Sequence, residues 1–244
     1  MGLLRITWAV MLVAGLAASC QAGITVSLGV RETGGAGPIG ANGGSTGSIE
    51  WIEKDVQSFA FDGNWHTLTW ALDGTNVSAF TGNNTLDGSW GTLEHLRFLN
   101  TDAITDPISI YIDDIMVKTP SGTTPLTDFE GFALGQEVVF QEPSLSGSTA
   151  ANLASGQGIP NSTGISNDFA QSGTSSLKME FQFLDGTPTR WLRLTSSNTA
   201  TLGNPAIPFG PGTSMSISFR AVPEPSSLGL LGLGAIGLLR RRRR

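Results

Sequence analysis

Apolar and polar residues alternate with a period of two along much of the chain. Five segments show this alternation: residues 24–30, 68–72, 108–112, 177–183 and 215–219. Successive side chains of a β-strand point to opposite faces, so the pattern predicts strands with one buried face, as in antiparallel sheets. Clusters of Gly, Asn, Asp and Ser separate the segments and indicate turns. Outside the two ends no helical period occurs, and the chain is therefore predicted to form an all-β, antiparallel β-sandwich.

The N-terminal end departs from this pattern. Residues 1–22 begin with the weakly basic Arg5, continue with an apolar stretch over residues 6–18, and end in small residues. This order predicts a secretory signal peptide that is absent from the mature protein. Cleavage after Ala22 is one possibility, and lipidation of Cys20 is the alternative.

The C-terminal end carries a second targeting pattern. Val222, Pro223, Glu224 and Pro225 precede an apolar run over residues 228–239, and residues 240–244 are all arginine. Proline cannot continue a helix, so a short hydrophobic helix is predicted to begin after Pro225. Twelve helical residues span about 18 Å, less than the ~30 Å hydrocarbon core of a bilayer. The segment is thus a marginal membrane span whose arginines stay on the cytoplasmic side.

The order of these three parts over residues 222–244 resembles the PEP-CTERM sorting tail of exported bacterial proteins. The resemblance implies a membrane-anchored precursor that an exosortase, an intramembrane transpeptidase, cuts near the motif. The body then passes to the cell surface or extracellular matrix. The alternative is a plain tail anchor that is never cut.

The charge of the body, residues 23–221, bears on its partners. The whole chain has a formal net charge of −6, but residues 23–222 hold 8 Lys and Arg against 19 Asp and Glu, about −11. Such an acidic body argues against nucleic acid or anionic lipid as partners. The single cysteine of the chain is Cys20, so no disulfide stabilises the exported body.

Several segments of the body resemble a galactose-binding-like jelly roll, a fold common among carbohydrate-binding modules. Residues 65–70, 91–98 and 110–115 look like the C-terminal half of that fold, and residues 128–132 and 172–179 look like its N-terminal half. The resemblance implies a jelly-roll β-sandwich that binds carbohydrate.

The two halves stand in reverse order along the chain. Residues 24–119 and 125–220 are therefore predicted to be complementary halves of one circularly permuted jelly roll, joined by a linker over residues 118–127 that is rich in Pro, Gly, Ser and Thr. The rival interpretation is two tandem modules, each truncated. That arrangement would leave open sheet edges and exposed core faces.

Three acidic residues are candidate metal ligands. Calcium takes several hard oxygen ligands, and modules that resemble this body often hold a structural calcium beside the first and last strands. The permutation would bring together Asp113, Asp114 and Glu130. The alternative is that these carboxylates cap strand ends and face water. The two histidines, His66 and His95, have no further ligands at zinc-binding spacing.

Four aromatic residues are candidates for stacking on sugar rings: Trp51, Trp90, Trp191 and Tyr111. Sugars present flat C–H faces, and an aromatic ring offers a broad apolar platform with a polar atom at its edge. Packing within the protein is the alternative for each of them. Trp65 and Trp70 fall in a predicted strand with an apolar face, so at least one of this pair is expected in the core.

The sequence thus predicts an exported, surface-sorted, non-catalytic protein that contacts polysaccharide in the extracellular matrix. One alternative is a structural matrix or adhesion protein without a specific sugar site. A glycan-acting hydrolase is the third interpretation, with Glu50 and Glu180 as possible members of a carboxylate pair. No catalytic motif supports the hydrolase.

Overall fold

The computed structural model describes residues 23–33, 49–196 and 205–222. The signal peptide, the hydrophobic tail helix and the arginine stop lie outside the described residues. Within these ranges twelve β-strands form two antiparallel sheets of six strands each, which confirms the all-β sandwich.

Sheet I has the strand order β10-β5-β1-β2-β4, with β11 also pairing with β5. Its strands are β1 (Ile24–Thr33), β2 (Ile49–Ser58), β4 (Val77–Ala79), β5 (Trp90–Asn100), β10 (Trp191–Thr195) and β11 (Ala206–Pro208).

Sheet II has the order β3-β12-β6-β9-β8, with β7 also pairing with β6. Its strands are β3 (His66–Ala71), β6 (Ile108–Thr119), β7 (Gly122–Thr127), β8 (Ser162–Ser166), β9 (Ser176–Phe181) and β12 (Ser214–Val222). A short 3₁₀ turn, Ala150–Asn152, contacts β10.

The core lies between the inner faces of the two sheets, and the alternating residues fill it. Leu28 and Val30 of β1 and Leu177 and Met179 of β9 are fully buried members of one hydrophobic cluster. Phe219 of β12 contacts aromatic rings of both sheets. Its ring contacts Trp70 of β3 at 6.3 Å and Phe98 of β5 at 6.1 Å between ring centroids. Trp70 is thus a core residue, as the alternation predicts.

Strands from residues 24–119 pair with strands from residues 125–220 in both sheets. In sheet I, β10 and β11 pair with β5. In sheet II, β12 lies between β3 and β6, and β9 pairs with the other edge of β6. That the halves form one folding unit stays a prediction.

The linker expected over residues 118–127 is instead a β-hairpin. Strand β6 continues to Thr119, β7 begins at Gly122, and these two residues pair across the turn. Gly122 has φ 149°, in the region that favours glycine. Composition predicts a linker, but pairing with the central strand β6 satisfies the backbone of this segment.

Candidate functional site

Trp51 and Trp191 come together on the outer face of sheet I. Trp51 pairs with Gly29 of β1, whose neighbours Leu28 and Val30 point into the core, so the Trp51 indole lies on the opposite face. Its ring centroid is 5.9 Å from that of Trp191, and the two rings are nearly perpendicular. Trp51 is 7% exposed, whereas Trp191 is half-buried.

Phe80 completes this group, and we call Trp51, Phe80 and Trp191 the outer aromatic cluster. Phe80 stacks on Trp51 at 4.8 Å and meets Trp191 at a right angle at 6.2 Å between ring centroids. The backbone N–H of Phe80 donates to the carbonyl of Ile49, which fixes the ring beside β2. Perpendicular and offset contacts of this kind are favoured by the ring quadrupoles.

The buried Glu50 holds the loop that follows Phe80. Its carboxylate accepts hydrogen bonds from the backbone N–H groups of Asn83 at 2.5 Å and Asn84 at 3.2 Å. Burial raises the pKa of Glu50, although the two backbone donors oppose this shift. This carboxylate therefore anchors the loop. Glu180, its suggested hydrolase partner, lies on β9 of the other sheet.

His95 lies beneath the cluster, and its imidazole ring packs over the backbone of Gly29. The indole Nε1–H of Trp51 donates to Nε2 of His95 at 2.8 Å, although β1 runs between their two strands. The hydrogen bond is possible because residue 29 has no side chain: a Cβ there would overlap the His95 ring. Since Nε2 accepts, His95 is neutral with its proton on Nδ1, and burial lowers its pKa accordingly.

A β-bulge places Glu94 on the same face as His95. Gly29 pairs with His95 and Val30 pairs with Leu93, so Glu94 is the extra residue of β5. Its carboxylate contacts Nδ1 of His95 and also accepts from Arg193 at 2.7 Å and Arg31 at 3.2 Å. Burial alone would raise the pKa of Glu94, but His95 and the two arginines lower it to about 2.

Arg97 places a guanidinium against both indoles. Its Cζ lies 4.9 Å from the ring centroid of Trp191 and 5.3 Å from that of Trp51, and its Nη1 forms an ion pair with Asp55. Burial lowers the pKa of Arg97 to about 10, so the group keeps its charge at neutral pH. Lys54 adds a second cation, 4.9 Å from the Trp51 ring centroid. The cluster is therefore an aromatic surface with two cations against its rings.

The other two aromatic candidates lie elsewhere. Trp90 begins β5 and pairs with Thr33 and Pro208, at the opposite end of sheet I from Trp191. Tyr111 lies on the outer face of sheet II, where its ring contacts Phe169 at 4.9 Å and its hydroxyl donates to Asp168 at 3.1 Å. Burial and the neighbouring Asp168 raise the pKa of Tyr111 to about 12.

Asp113, Asp114 and Glu130 converge on one loop, residues 171–175. Asp113 accepts from the backbone N–H of Gln171, Asp114 accepts from the hydroxyl of Ser172, and Glu130 accepts from the backbone N–H of Thr174. Each of the three carboxylates thus has a donor within the protein. Burial raises the pKa of Asp113 to about 6, against the backbone donors that lower it.

Across residues 23–33, 49–196 and 205–222, no group of three or more His, Cys, Asp or Glu side chains is arranged to hold a metal ion. The calcium site stays a prediction, and binding there would require an ion to replace the loop donors. An excess of chelator would then lower the melting temperature. An unchanged melting temperature would count against it.

Comparison with known proteins identifies one region. Residues 221–244 match the PEP-CTERM protein-sorting motif. The motif marks an exported protein that is membrane-anchored before an exosortase processes it, and the sorting residues Val222, Pro223, Glu224 and Pro225 fall within the match. No curated protein and no solved structure matches the chain. In the part of the chain that the structure describes, no helix is long and apolar enough to cross a membrane.

Sequence reasoning missed much of this site. Phe80, Arg97 and the Glu94–His95 pair carry no motif, and the contacting residues are up to 140 positions apart. The single available signal was Gly29, a glycine inside an otherwise apolar-alternating strand, which indicates a bulge or a close approach.

Proposed function

We propose that the body is a non-catalytic module that contacts polysaccharide at the cell surface or in the extracellular matrix, through the outer aromatic cluster. The observation that carries the proposal is the pair of half-buried rings, Phe80 and Trp191, which meet at a right angle on a sheet face outside the core. Such rings offer apolar platforms to the C–H faces of a sugar.

The charged network beneath the rings supports this function. Trp51 is fixed by His95, His95 by Glu94, and Glu94 by Arg193 and Arg31. A platform whose geometry is already fixed loses little conformational entropy on binding. The exposed ammonium of Lys54 would donate hydrogen bonds to sugar hydroxyls at the edge of the platform, while the buried guanidinium of Arg97 lies against both indoles.

The test is binding of residues 23–222, the body with strand β12 complete, to an array of polysaccharides, followed by calorimetry on any glycan that binds. We expect Trp191→Ala and Phe80→Ala to weaken binding at least tenfold. Trp90→Ala is the matched control, because it removes a half-buried indole from the same sheet outside the cluster. Circular dichroism checks that each variant is folded.

Equal losses in Trp191→Ala and Trp90→Ala would contradict a site at the cluster. A body that binds no glycan would favour the second candidate, a structural matrix or adhesion protein. The burial of Glu94 and His95 suits that candidate, because such a network also stiffens a sandwich that binds no particular sugar. Turnover of a chromogenic glycoside would instead indicate a hydrolase.

A further inference from the structure

The sorting motif begins inside a core strand of the sandwich. The match starts at Ala221, which is fully buried and pairs with Ile110, and Val222 pairs with Ser109. Strand β12 lies between β3 and β6, and the carbonyl of Ala221 also accepts the N–H of Gly63. Hence no linker separates the folded body from Pro223. Covalent geometry alone keeps Pro225 within about 11 Å of Val222.

The N-terminal segment enters at the same end of the sandwich. Ile24 pairs with Asn100 at the end of β5, and the carbonyl of Gly23 accepts the N–H of Thr101. The connection 101–107 then crosses to β6, where Ser109 pairs with Val222. The distance between packed sheets and the distance between neighbouring strands together place Gly23 and Val222 on the order of 15 Å apart. Both targeting segments therefore attach to one end.

We propose that this end of the sandwich, defined by residues 62–64, 101–107 and 184–187, is the surface that contacts the exosortase while the precursor is anchored. The apolar run of the tail begins at residue 228, so covalent geometry keeps the membrane and its enzyme within about 22 Å of Val222 and close to the end loops.

The charge of the end loops favours a protein partner over lipid. Asp62, Asp102 and Asp106 are exposed there, and Asp185 is partly exposed. Asp62 pairs with His66, and Asp185 pairs with Arg190. Leu184, 52% exposed, is the one exposed large apolar side chain in the described residues of these loops, and Ile104 packs against the core. Burying charged carboxylates away from water is costly, so insertion of these loops into lipid is unfavourable.

Site-specific photo-crosslinking of the full chain in its exporting host tests the proposal. A benzophenone residue replaces Asn64 or Asp106 at the proposed surface. In the controls it replaces Ser121 or Thr75, which are exposed at the opposite end of the sandwich. Adducts are identified by mass spectrometry, and conversion of precursor to mature protein is followed in parallel.

We expect exosortase adducts from positions 64 and 106 and none from positions 121 and 75. Inserting Gly-Ser-Gly-Ser between Val222 and Pro223 should reduce the adducts at least fivefold, whereas the same insertion after Ser121 should not. Lipid adducts alone from position 106 would overturn the proposal in favour of docking on the bilayer. Equal adducts from both ends, or none from the proposed surface while processing continues, would also overturn it.

Discussion

The outer faces of the two sheets are made from similar residues but differ in how those residues are held. On sheet I, Glu94 and His95 are almost fully buried and join a network drawn from β1, β2, β5 and β10. On sheet II, Tyr111 and Lys178 contact Asp168 and Glu180, whose side chains are 52% and 34% exposed. Ion pairs in water contribute little, whereas a buried charge that loses its partner is costly. Removal of a charged partner should therefore cost more stability on the outer face of sheet I than on that of sheet II.

The largest expected effect is the unfolding of both sheets when the two halves are separated, because each sheet contains strands of both halves. Residues 24–119 and 125–220 expressed separately would each expose core positions such as Phe98 or Phe219. We expect each fragment to be unfolded or aggregated, their mixture to assemble, and the intact body to melt in one transition. Calorimetry and gel filtration measure this. A monomeric, cooperatively melting fragment 125–220 would instead support tandem modules.

Replacing one buried acid tests the contrast between the faces directly. In Glu94→Gln, Arg31 and Arg193 lose their shared carboxylate, and we expect a loss of about 3–5 kcal/mol in the free energy of unfolding. The matched variant Glu180→Gln, beside Lys178, should cost no more than about 1 kcal/mol. Urea denaturation gives both values. Similar losses in the two variants would remove the distinction between the faces.

The close approach at Gly29 is a smaller, local test. A Cβ in Gly29→Ala overlaps the His95 ring, so the ring must shift and its hydrogen bond with Trp51 must lengthen. We expect a loss of about 1–3 kcal/mol. Thermal unfolding measures it, and Trp fluorescence should report the changed surroundings of Trp51. Gly147→Ala is the control, because a Cβ there meets no atom. If Gly29→Ala lowers stability no more than Gly147→Ala, the His95 ring does not require the missing side chain at residue 29.

The free energy of unfolding should depend on pH with opposite signs for the buried His95 of sheet I and the buried Asp113 of sheet II. His95 has a lowered pKa in the folded protein, so its stabilising effect is present above the ordinary value of 6.5 and is lost as the pH falls below it. Asp113, on sheet II, has a raised pKa of about 6, so its contribution is lost as the pH rises from about 4 through 6. Denaturation from pH 4 to 8 measures the sum.

Two variants separate these contributions. His95→Gln should remove the loss of stability below pH 6.5, and Asp113→Asn should remove the opposing loss up to pH 6. An unaltered pH profile in either variant would contradict the protonation state assigned to that residue. Glu94, with a pKa near 2, should add a further loss as the pH falls from about 4.5 towards 2.

The sequence by itself determined the fold class and the sorting tail. Alternation in segments such as residues 177–183 decides which face of a strand is buried whatever its partners, since the pleat has a period of two. The tail could be recognised because its parts are contiguous over residues 221–244. The candidate tryptophans could be named from the sequence, but their grouping could not.

Only the tertiary structure decided which of those residues meet. Strand pairing brought Trp51 to Trp191 and left Trp90 at the far end of β5. It also turned residues 118–127 from a presumed linker into a hairpin on β6. The bulge that aligns Glu94 with His95 depends on the register between β1 and β5, which local sequence does not encode. Contacts between residues far apart in the chain arise only from how the whole sandwich pairs its strands, because no local preference specifies them.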